Sequence, residues 1–293
     1  MSFTAALVQM RSGTEPARNA AALRELVAEA AGTGAAYVQT PEMTGAVQAD
    51  GRALRRTVRT VAEDEVARTA SELAAEHGLW LHIGSLAVRR ESADDDRLAN
   101  RALLFAPDGS LHATYDKLHM FDVDLTDEDG GESWRESRLY APGSRAVAAD
   151  MAPGGETARL GLGICYDLRF PSLYTALARS GASVLTAPAA FTARTGRAHW
   201  KVLARARAIE CGAFLLAAAQ GGRHEDGRET WGHSIAVDPW GRVLGMLDHD
   251  EPGVLSVEID TSQSEAARRA IPNLAHARAF NLQTIGNRME NAQ

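Results

Sequence analysis

Residues 158–175, ARLGLGICYDLRFPSLYT, place a cysteine between a strand and a helix. A glycine-punctuated apolar run ends at Cys165, a polar turn follows, and Pro171 stands where a helix would begin. Nearer the start of the chain, the short apolar runs 3–10 and 37–40 alternate with segments of helical period. Later hairpin patterns add antiparallel pairing. The sequence therefore predicts an α/β domain of stacked layers with a mixed sheet.

The composition is that of a soluble globular protein. The chain has 293 residues, 45% hydrophobic and 24% charged, a length that allows one large domain or two small ones. Its formal net charge of −7 argues against a general nucleic-acid binder, whose binding surface is basic. The longest central apolar run, 213–219, is far shorter than the ~20 residues of a membrane-spanning helix. We therefore expect neither nucleic acid nor a membrane as partner.

The start of the chain and its cysteine content predict a cytoplasmic protein. Residues 1–13, MSFTAALVQMRSG, lack the basic and apolar regions of a secretory signal. Two cysteines, Cys165 and Cys211, cannot build a disulfide framework. No CxxC pair or HExxH motif indicates a zinc site, so we expect no metal ion.

Residues 122–144 differ from the rest of the chain. They are acidic, contain glycine and proline, and show little periodicity. Long segments of this kind are usually functional or disordered. We therefore expect a functional loop at this place, and no change in composition marks a domain boundary around it.

Cys165 is the most informative residue of the chain. In α/β folds, a side chain at a strand end before a helix start is exposed at the sheet edge, where ligands bind. Backbone N–H groups there can hold an oxyanion, and a helix N-terminus lowers the pKa of a thiol. The alternative is a small buried hydrophobic residue, and local context leaves both open. Cys211, between a helix end and an apolar strand, is predicted to lie in the core.

A reactive thiol needs a neighbouring base or cation, and the sequence offers several. Lys117 is the only lysine before residue 200 in a chain that otherwise uses arginine, which suggests chemistry that a guanidinium cannot perform. Glu42 follows a strand end and Pro41, a suitable position for a base. Either side chain could instead be a solvated surface group. His119 and His233 are the best placed histidines, and we expect both to be structural.

Glu42 in TPEMTG, Lys117 in YDKLHMFDVD and Cys165 in GLGICYDLRFP stand in an order that resembles the Glu–Lys–Cys triad of the nitrilase superfamily of carbon–nitrogen hydrolases. Residues 188–210 and 217–245 are similar to its Nit branch, which includes the deaminated glutathione amidases. The similarity runs from residue 4 to about residue 271. The ordered set of motifs is much more specific than any one of them.

The resemblance implies a fold and an assembly. Members of the superfamily are four-layer α-β-β-α sandwiches, with two sheets face to face and helices outside, and they form homodimers or larger homo-oligomers. For this chain the resemblance implies one carbon–nitrogen hydrolase domain over residues 1–275. A C-terminal tail, 276–293, would contact another subunit. No cofactor and no metal ion are implied.

The resemblance also implies catalytic roles. Cys165 would attack the substrate carbon, Glu42 would act as general base, and Lys117 would hold the oxyanion together with the backbone N–H after the nucleophile. A second glutamate stands near the reacting carbon in this family. By its order in the chain Glu136 matches that position, with Glu132 in the same acidic segment, 122–144, as its rival.

On the substrate side the resemblance points to residues beside the nucleophile and at the pocket edge, namely Tyr166, Arg169, Phe191, Thr192 and Thr195. Arg169 could hold a substrate carboxylate bidentately or pair with Asp167 or another acid. The implied partner is a small-molecule amide, a deaminated-glutathione-like or other 2-oxo-acid amide, cleaved through a cysteine thioester with release of ammonia. An ω-amidase, an N-carbamoyl amidase and a non-catalytic binding or scaffold protein on the same fold remain as alternatives.

Overall fold

The computed structural model describes residues 2–91, 95–127 and 130–285, with the backbone alone for 126, 127 and 130–132. The strands in these ranges are β1 (Ser2–Gln9), β2 (Tyr37–Gln39), β3 (Trp80–Val88), β4 (Ala99–Phe105), β5 (Leu111–Asp116), β6 (Asp122–Asp127), β7 (Gly130–Arg135), β8 (Ala148–Met151), β9 (Ala158–Gly161), β10 (Val184–Thr186), β11 (Phe214–Ala217), β12 (Gly221–Arg223), β13 (Glu229–Trp231), β14 (Ile235–Val237), β15 (Val243–Met246) and β16 (Gly253–Asp260). The helices are α1 (Pro16–Gly32), α2 (Gly51–Thr57), α3 (Glu65–His77), α4 (Pro171–Arg179), α5 (Ala193–Cys211), α6 (Ser262–Ala270) and α7 (Asn273–His276), and short 3₁₀ helices cover Glu136–Arg138, Pro153–Gly155 and Cys165–Arg169.

Within the described residues the strands form two six-stranded sheets of similar topology. The first has the order β16-β1-β2-β3-β4-β5 and the second β15-β14-β11-β10-β9-β8. The central strands of each sheet, β1 to β3 and β9 to β11, run parallel, whereas the outer strands pair antiparallel. Two separate hairpins, β6–β7 and β12–β13, complete the strand pairing. The predicted mixed sheet is therefore present twice.

Side-chain alternation along the strands creates the layers. Phe3 and Leu7 of β1 share one core with Val184 of β10 in the other sheet, so the two sheets pack against each other. Val8, the residue after Leu7, belongs to a second core that contains Leu23 of α1. Helices α4 and α5 pack on the strands of the second sheet. The predicted four-layer α-β-β-α sandwich is confirmed.

The segment 122–144 is more regular than the sequence predicts. Strands β6 and β7 pair from Asp122 opposite Arg135 to Asp127 opposite Gly130, and the 3₁₀ helix Glu136–Arg138 follows directly. The pairing of Val123 with Trp134 supplies an apolar cross-strand contact that the acidic composition obscures. The short helix α2, which begins at an N-cap from Asp50, was also not predicted.

Two further findings concern partners and the chain end. No helix in the described ranges is long and apolar enough to span a bilayer. Among the same residues, no group of three or more histidine, cysteine or acidic side chains is arranged to hold a metal ion.

Residues 277–285 have no regular secondary structure, and residues 286–293 of the expected tail lie outside the described residues. The division at residue 275 stays a prediction.

Candidate active site

Three strand ends meet at one place and carry Glu42, Lys117 and Cys165. Glu42 follows β2 in the turn after Pro41, and Lys117 directly follows β5. Cys165 opens the 3₁₀ helix that links β9 to α4. The first two residues come from one sheet and the third from the other, so the face-to-face packing of the sheets brings them together. All three side chains are buried.

A lysine ammonium group lies between two carboxylates. Lys117 Nζ is 2.8 Å from Glu42 Oε1 and 2.9 Å from each carboxylate oxygen of Glu136. Glu42 Oε2 accepts a hydrogen bond from the backbone N–H of Ala190 at 3.0 Å. Glu136 Oε2 accepts one from the backbone N–H of Phe121 at 2.7 Å. Both carboxylates are therefore held in place at both of their oxygens.

The turn that carries Glu42 is fixed by side chains from neighbouring strands. Ser85 Oγ accepts a hydrogen bond from the backbone N–H of Met43 at 3.0 Å, and Gln220 Nε2 donates to the Glu42 carbonyl at 3.1 Å. Met43 itself has a φ of 58°, a conformation that costs energy for a residue other than glycine. The surrounding hydrogen bonds compensate for this strain and point the Glu42 side chain toward Lys117.

Cys165 also adopts a left-handed backbone conformation, with φ 49°. Its N–H donates to the Pro188 carbonyl at 2.9 Å. Its thiol shares a cavity wall with Glu42 and Lys117, and the charges of both groups act on it. A strained, sharp turn between strand and helix is a known way to present a nucleophile.

The resting thiol is neutral, which corrects one sequence-based expectation. Burial and then the negative charge of Glu42 raise the pKa of Cys165 well above its ordinary value. Lys117 lowers that pKa, as expected, but its effect is the smaller one. The expectation of a thiol pKa below its ordinary value is therefore wrong for the net shift, because the sequence does not reveal how deeply the sulfur is buried.

The two groups beside the thiol are charged. Burial raises the pKa of Glu42, but the charge and hydrogen bond of Lys117, with hydrogen bonds from Cys165 and Asn100, bring it below the ordinary value. Burial lowers the pKa of Lys117, but the charges of Glu136 and Glu42 raise it well above the ordinary value. An ionised carboxylate thus faces a protonated thiol, the arrangement a general base needs.

A cavity of about 1150 Å³ opens onto the thiol. Its walls include all nine predicted site residues, which are Glu42, Lys117, Glu136, Cys165, Tyr166, Arg169, Phe191, Thr192 and Thr195. Within the described residues, the backbone N–H of Tyr166 has no hydrogen-bond partner and can serve a ligand. Thr192 caps α5 and accepts a hydrogen bond from the Thr195 N–H, so these two side chains also have a local structural role.

Arg169 is free of any acidic partner in the part of the chain that the structure describes. One of its Nη atoms lies 3.2 Å from His199 Nδ1, and its guanidinium carbon is 5.6 Å from the ring centre of Phe191. Asp167, the suggested ion-pair partner, instead accepts hydrogen bonds from the Tyr115 hydroxyl and from His119. The ion-pair interpretation of Arg169 is therefore wrong, and its charge is available to a ligand.

Other sequence-based predictions have clear outcomes. His119 stacks on Phe170 and contacts Asp167. His233 stacks on Trp231 and forms a hydrogen bond with the Trp231 backbone carbonyl. Both histidines are therefore structural, as predicted. Cys211 is fully buried in the core, where burial raises the pKa of its thiol to about 12. The side chain of Glu132 lies outside the described residues.

Sequence reasoning missed Asn100 and most of the arginines around the cavity. Asn100 Nδ2 donates to both Glu42 and Glu136, but it lies inside strand β4 and belongs to no motif. Its one sequence signal is a polar residue within an apolar strand. The cavity wall also includes Arg52, Arg55, Arg135, Arg138 and Arg228, which local sequence cannot distinguish from ordinary surface residues.

Comparisons with known proteins agree with this geometry. Residues 4–269 match the family model described as carbon–nitrogen hydrolase. The chain is 40% identical to the deaminated glutathione amidase of Yersinia enterocolitica, over 93% of this chain and 92% of that protein.

Two solved structures extend the comparison. The NitFhit protein of C. elegans is 33% identical with a TM-score of 0.83, over 94% of this chain and 65% of that one. The second is a mutant amidase from Nesterenkonia sp. AN1 with the acetamide moiety of fluoroacetamide added covalently at the active site cysteine. It is 27% identical with a TM-score of 0.72, over 92% of this chain and 94% of that one. The predicted similarity to the Nit branch of the nitrilase superfamily is confirmed. The chain belongs to the carbon–nitrogen hydrolase family.

Proposed function

We propose that this protein is an amidase that hydrolyses a small-molecule amide through a thioester on Cys165. The observation that carries the proposal is the convergence of the Cys165 thiol, the Glu42 carboxylate and the Lys117 ammonium group in one cavity wall, with a neutral thiol and an ionised carboxylate. Family membership and the relative named deaminated glutathione amidase support the same reaction class. The proposed substrate is a deaminated-glutathione-like or other 2-oxo-acid amide.

In the first step Glu42 takes the proton of the Cys165 thiol as the sulfur attacks the amide carbon. The carbonyl π bond becomes a lone pair on oxygen, and a tetrahedral oxyanion forms. Lys117 and the unpaired backbone N–H of Tyr166 stabilise this oxyanion. The thiol needs no low pKa of its own in this step, because proton transfer accompanies the attack.

In the second step the oxyanion re-forms the carbonyl and expels the nitrogen, which receives its proton from Glu42. The leaving group is ammonia from a primary amide or an amine from a secondary amide. Water, deprotonated by Glu42, then attacks the thioester, and collapse of the second tetrahedral intermediate releases the carboxylic acid. The thiolate takes back the proton from Glu42, so the enzyme returns to its starting state.

Glu136 has a supporting role in this scheme. Both of its oxygens lie 2.9 Å from Lys117 Nζ, so it fixes the direction in which the ammonium group points. It also raises the pKa of that ammonium group. We assign to Glu136, rather than Glu132, the position of the second glutamate.

The charges around the cavity support an anionic substrate. The whole chain has a formal net charge of −7, yet six arginines line this cavity. Among the described residues Arg52, Arg138 and Arg169 have no carboxylate partner. Guanidinium groups bind carboxylates through paired hydrogen bonds, and Arg169 is adjacent to the nucleophile turn. We propose that Arg169 holds the substrate carboxylate, with Phe191, Thr192 and Thr195 at the pocket edge.

Replacing Arg169 with Met should weaken binding of carboxylate-bearing amides selectively. Loss of a charge-assisted contact should raise KM about 10- to 100-fold while leaving kcat within a few-fold. Steady-state kinetics on a carboxylate amide and on its neutral analogue of equal length measure the effect. Arg56→Met, at an exposed position outside the cavity wall, is the matched control. An equal loss on both amides would remove Arg169 from carboxylate recognition.

The proposed reaction is tested by a panel of amides with mass-resolved product detection. We expect one of the 2-oxo-acid amides to give its free acid and the corresponding amine or ammonia in equal amounts. N-carbamoyl amino acids and neutral amides should react more slowly. Absence of turnover on the whole panel, with folded protein, would favour a binding or scaffold role.

We also propose that residues 1–275 fold as one domain in a cytoplasmic homodimer or larger homo-oligomer, without nucleic acid or membrane partners. The tail would contact another subunit. Phe280, Leu282 and Ile285 support this, because their side chains are almost fully exposed in the single chain. Light scattering of the full chain and of a chain ended at residue 275 tests it. The same number of subunits in the full-length and the shortened protein would exclude a role of the tail in assembly.

A further inference from the structure

We infer that Asn100 is a positioning residue that directs proton transfer to one oxygen of Glu42, an inference that rests on the proposed function. Asn100 lies in β4 and is 1% exposed. Its Nδ2 is 2.8 Å from Glu42 Oε1 and 3.1 Å from Glu136 Oε1. One amide group therefore donates to both carboxylates that hold Lys117.

The hydrogen bonds assign different roles to the two oxygens of Glu42. Oε1 accepts from both Lys117 Nζ and Asn100 Nδ2. A carboxylate oxygen has about two acceptor sites, so these donors fill it. Oε2 accepts from the backbone N–H of Ala190, which leaves it one site. The proton from the Cys165 thiol therefore goes to Oε2, and loss of the Asn100 donor would open a competing site on Oε1.

Asn100 also helps Lys117 to keep the Glu42 carboxylate ionised. The titratable groups that face Glu42 are Lys117, Glu136, Cys165 and Tyr140. Of these only Lys117 is cationic, while Glu136 places a second carboxylate against the same Nζ. Burial raises the pKa of Glu42 and Lys117 lowers it. The hydrogen bond from Asn100 lowers this pKa further. Its removal should let Glu42 bind a proton at a higher pH.

The orientation of the Asn100 amide is fixed by these contacts. Its Oδ1 is buried and has no hydrogen-bond partner among the described residues, which is unfavourable for stability. Turning the amide over would set Oδ1 against two carboxylate oxygens, which is worse. The backbone carbonyl of Asn100 separately accepts from the Lys117 N–H at 2.9 Å, and a side-chain substitution leaves that contact in place.

The test is the pH dependence of Cys165 alkylation by iodoacetamide, measured without substrate. Wild type, Asn100→Ala and Asn100→Leu are sampled over time, and the Cys165 peptide is quantified by mass spectrometry. We expect the acid limb of the rate to move up by about one pH unit in both variants, because Glu42 loses its charge-assisted hydrogen bond. For amide hydrolysis at neutral pH we expect kcat to fall about tenfold or more with a smaller change in KM.

Two comparisons separate positioning from simple structural support. Asn100→Leu nearly preserves the shape of the side chain without a donor or a charge, so a purely steric role predicts an unchanged acid limb, and this variant carries the test if Asn100→Ala does not fold. Ser85→Ala removes a hydrogen bond to the Glu42 turn without touching the carboxylate, and it should lower Tm but leave the acid limb unmoved.

Acid limbs of Asn100→Leu and any folded Asn100→Ala that coincide with wild type would overturn the inference. An upward shift of the acid limb in Ser85→Ala as large as that in the Asn100 variants would overturn the inference as well. Failure of the proposed function is a separate result, because a wild type that turns over no amide still gives an alkylation profile. That profile decides the role of Asn100 by itself.

Discussion

Cys165→Ala is expected to lose at least about 10⁴-fold in kcat/KM for amide hydrolysis while remaining folded. The substitution removes the group that attacks the amide, and Cys211 does not line the cavity. The sulfur borders an open cavity, so its removal creates little new void and should change stability only slightly. Steady-state kinetics and thermal unfolding measure the two effects.

Cys211→Ala is the matched control for this experiment. It removes the same atoms from a fully buried position, where we expect a loss of about 1 kcal/mol in the free energy of unfolding and near-normal activity. Amine or ammonia release by Cys165→Ala at a rate near wild type would end the assignment of the nucleophile.

Lys117→Arg is expected to lower kcat by at least about 10³-fold, although it preserves the charge. Lys117 is 2% exposed, and its Nζ lies within 2.9 Å of oxygens from both Glu42 and Glu136. The longer planar guanidinium cannot occupy that point without moving one carboxylate. Initial rates at saturating amide measure kcat, and Tm shows whether the variant is folded.

The chain provides a close control for this change. Lys201 is its only other lysine, it is exposed on α5, and Lys201→Arg should be indistinguishable from wild type. Activity of Lys117→Arg within a few-fold of Lys201→Arg would show that a positive charge is sufficient and that the ammonium geometry does not matter.

The sequence predicts the parts of the site that local patterns encode. The strand, turn and proline around Cys165 predict its position between β9 and α4, and the scarcity of lysine draws attention to Lys117. Local patterns do not show that the three catalytic residues meet in space, because Glu42 and Lys117 follow two strands of one sheet and Cys165 follows a strand of the other. Only the ordered resemblance to a known family predicts that these strand ends meet.

Three features could not be predicted because they depend on packing. The thiol pKa rises instead of falling, since burial and Glu42 outweigh Lys117. Asn100 is an internal strand residue whose neighbours across the cavity come from distant segments. The availability of Arg169 follows from Asp167 bonding to Tyr115 and His119 instead, which sequence separation alone does not indicate.

The most direct test of the central claim is the intact mass of the protein, quenched in acid within milliseconds of mixing with a turned-over amide. The account predicts a mass increase equal to the acyl part of that amide, and peptide mapping should locate it on Cys165. Cys165→Ala should show no increase. An adduct on Cys211 alone, or an equal mass increase in Cys165→Ala, would contradict a covalent mechanism at this site.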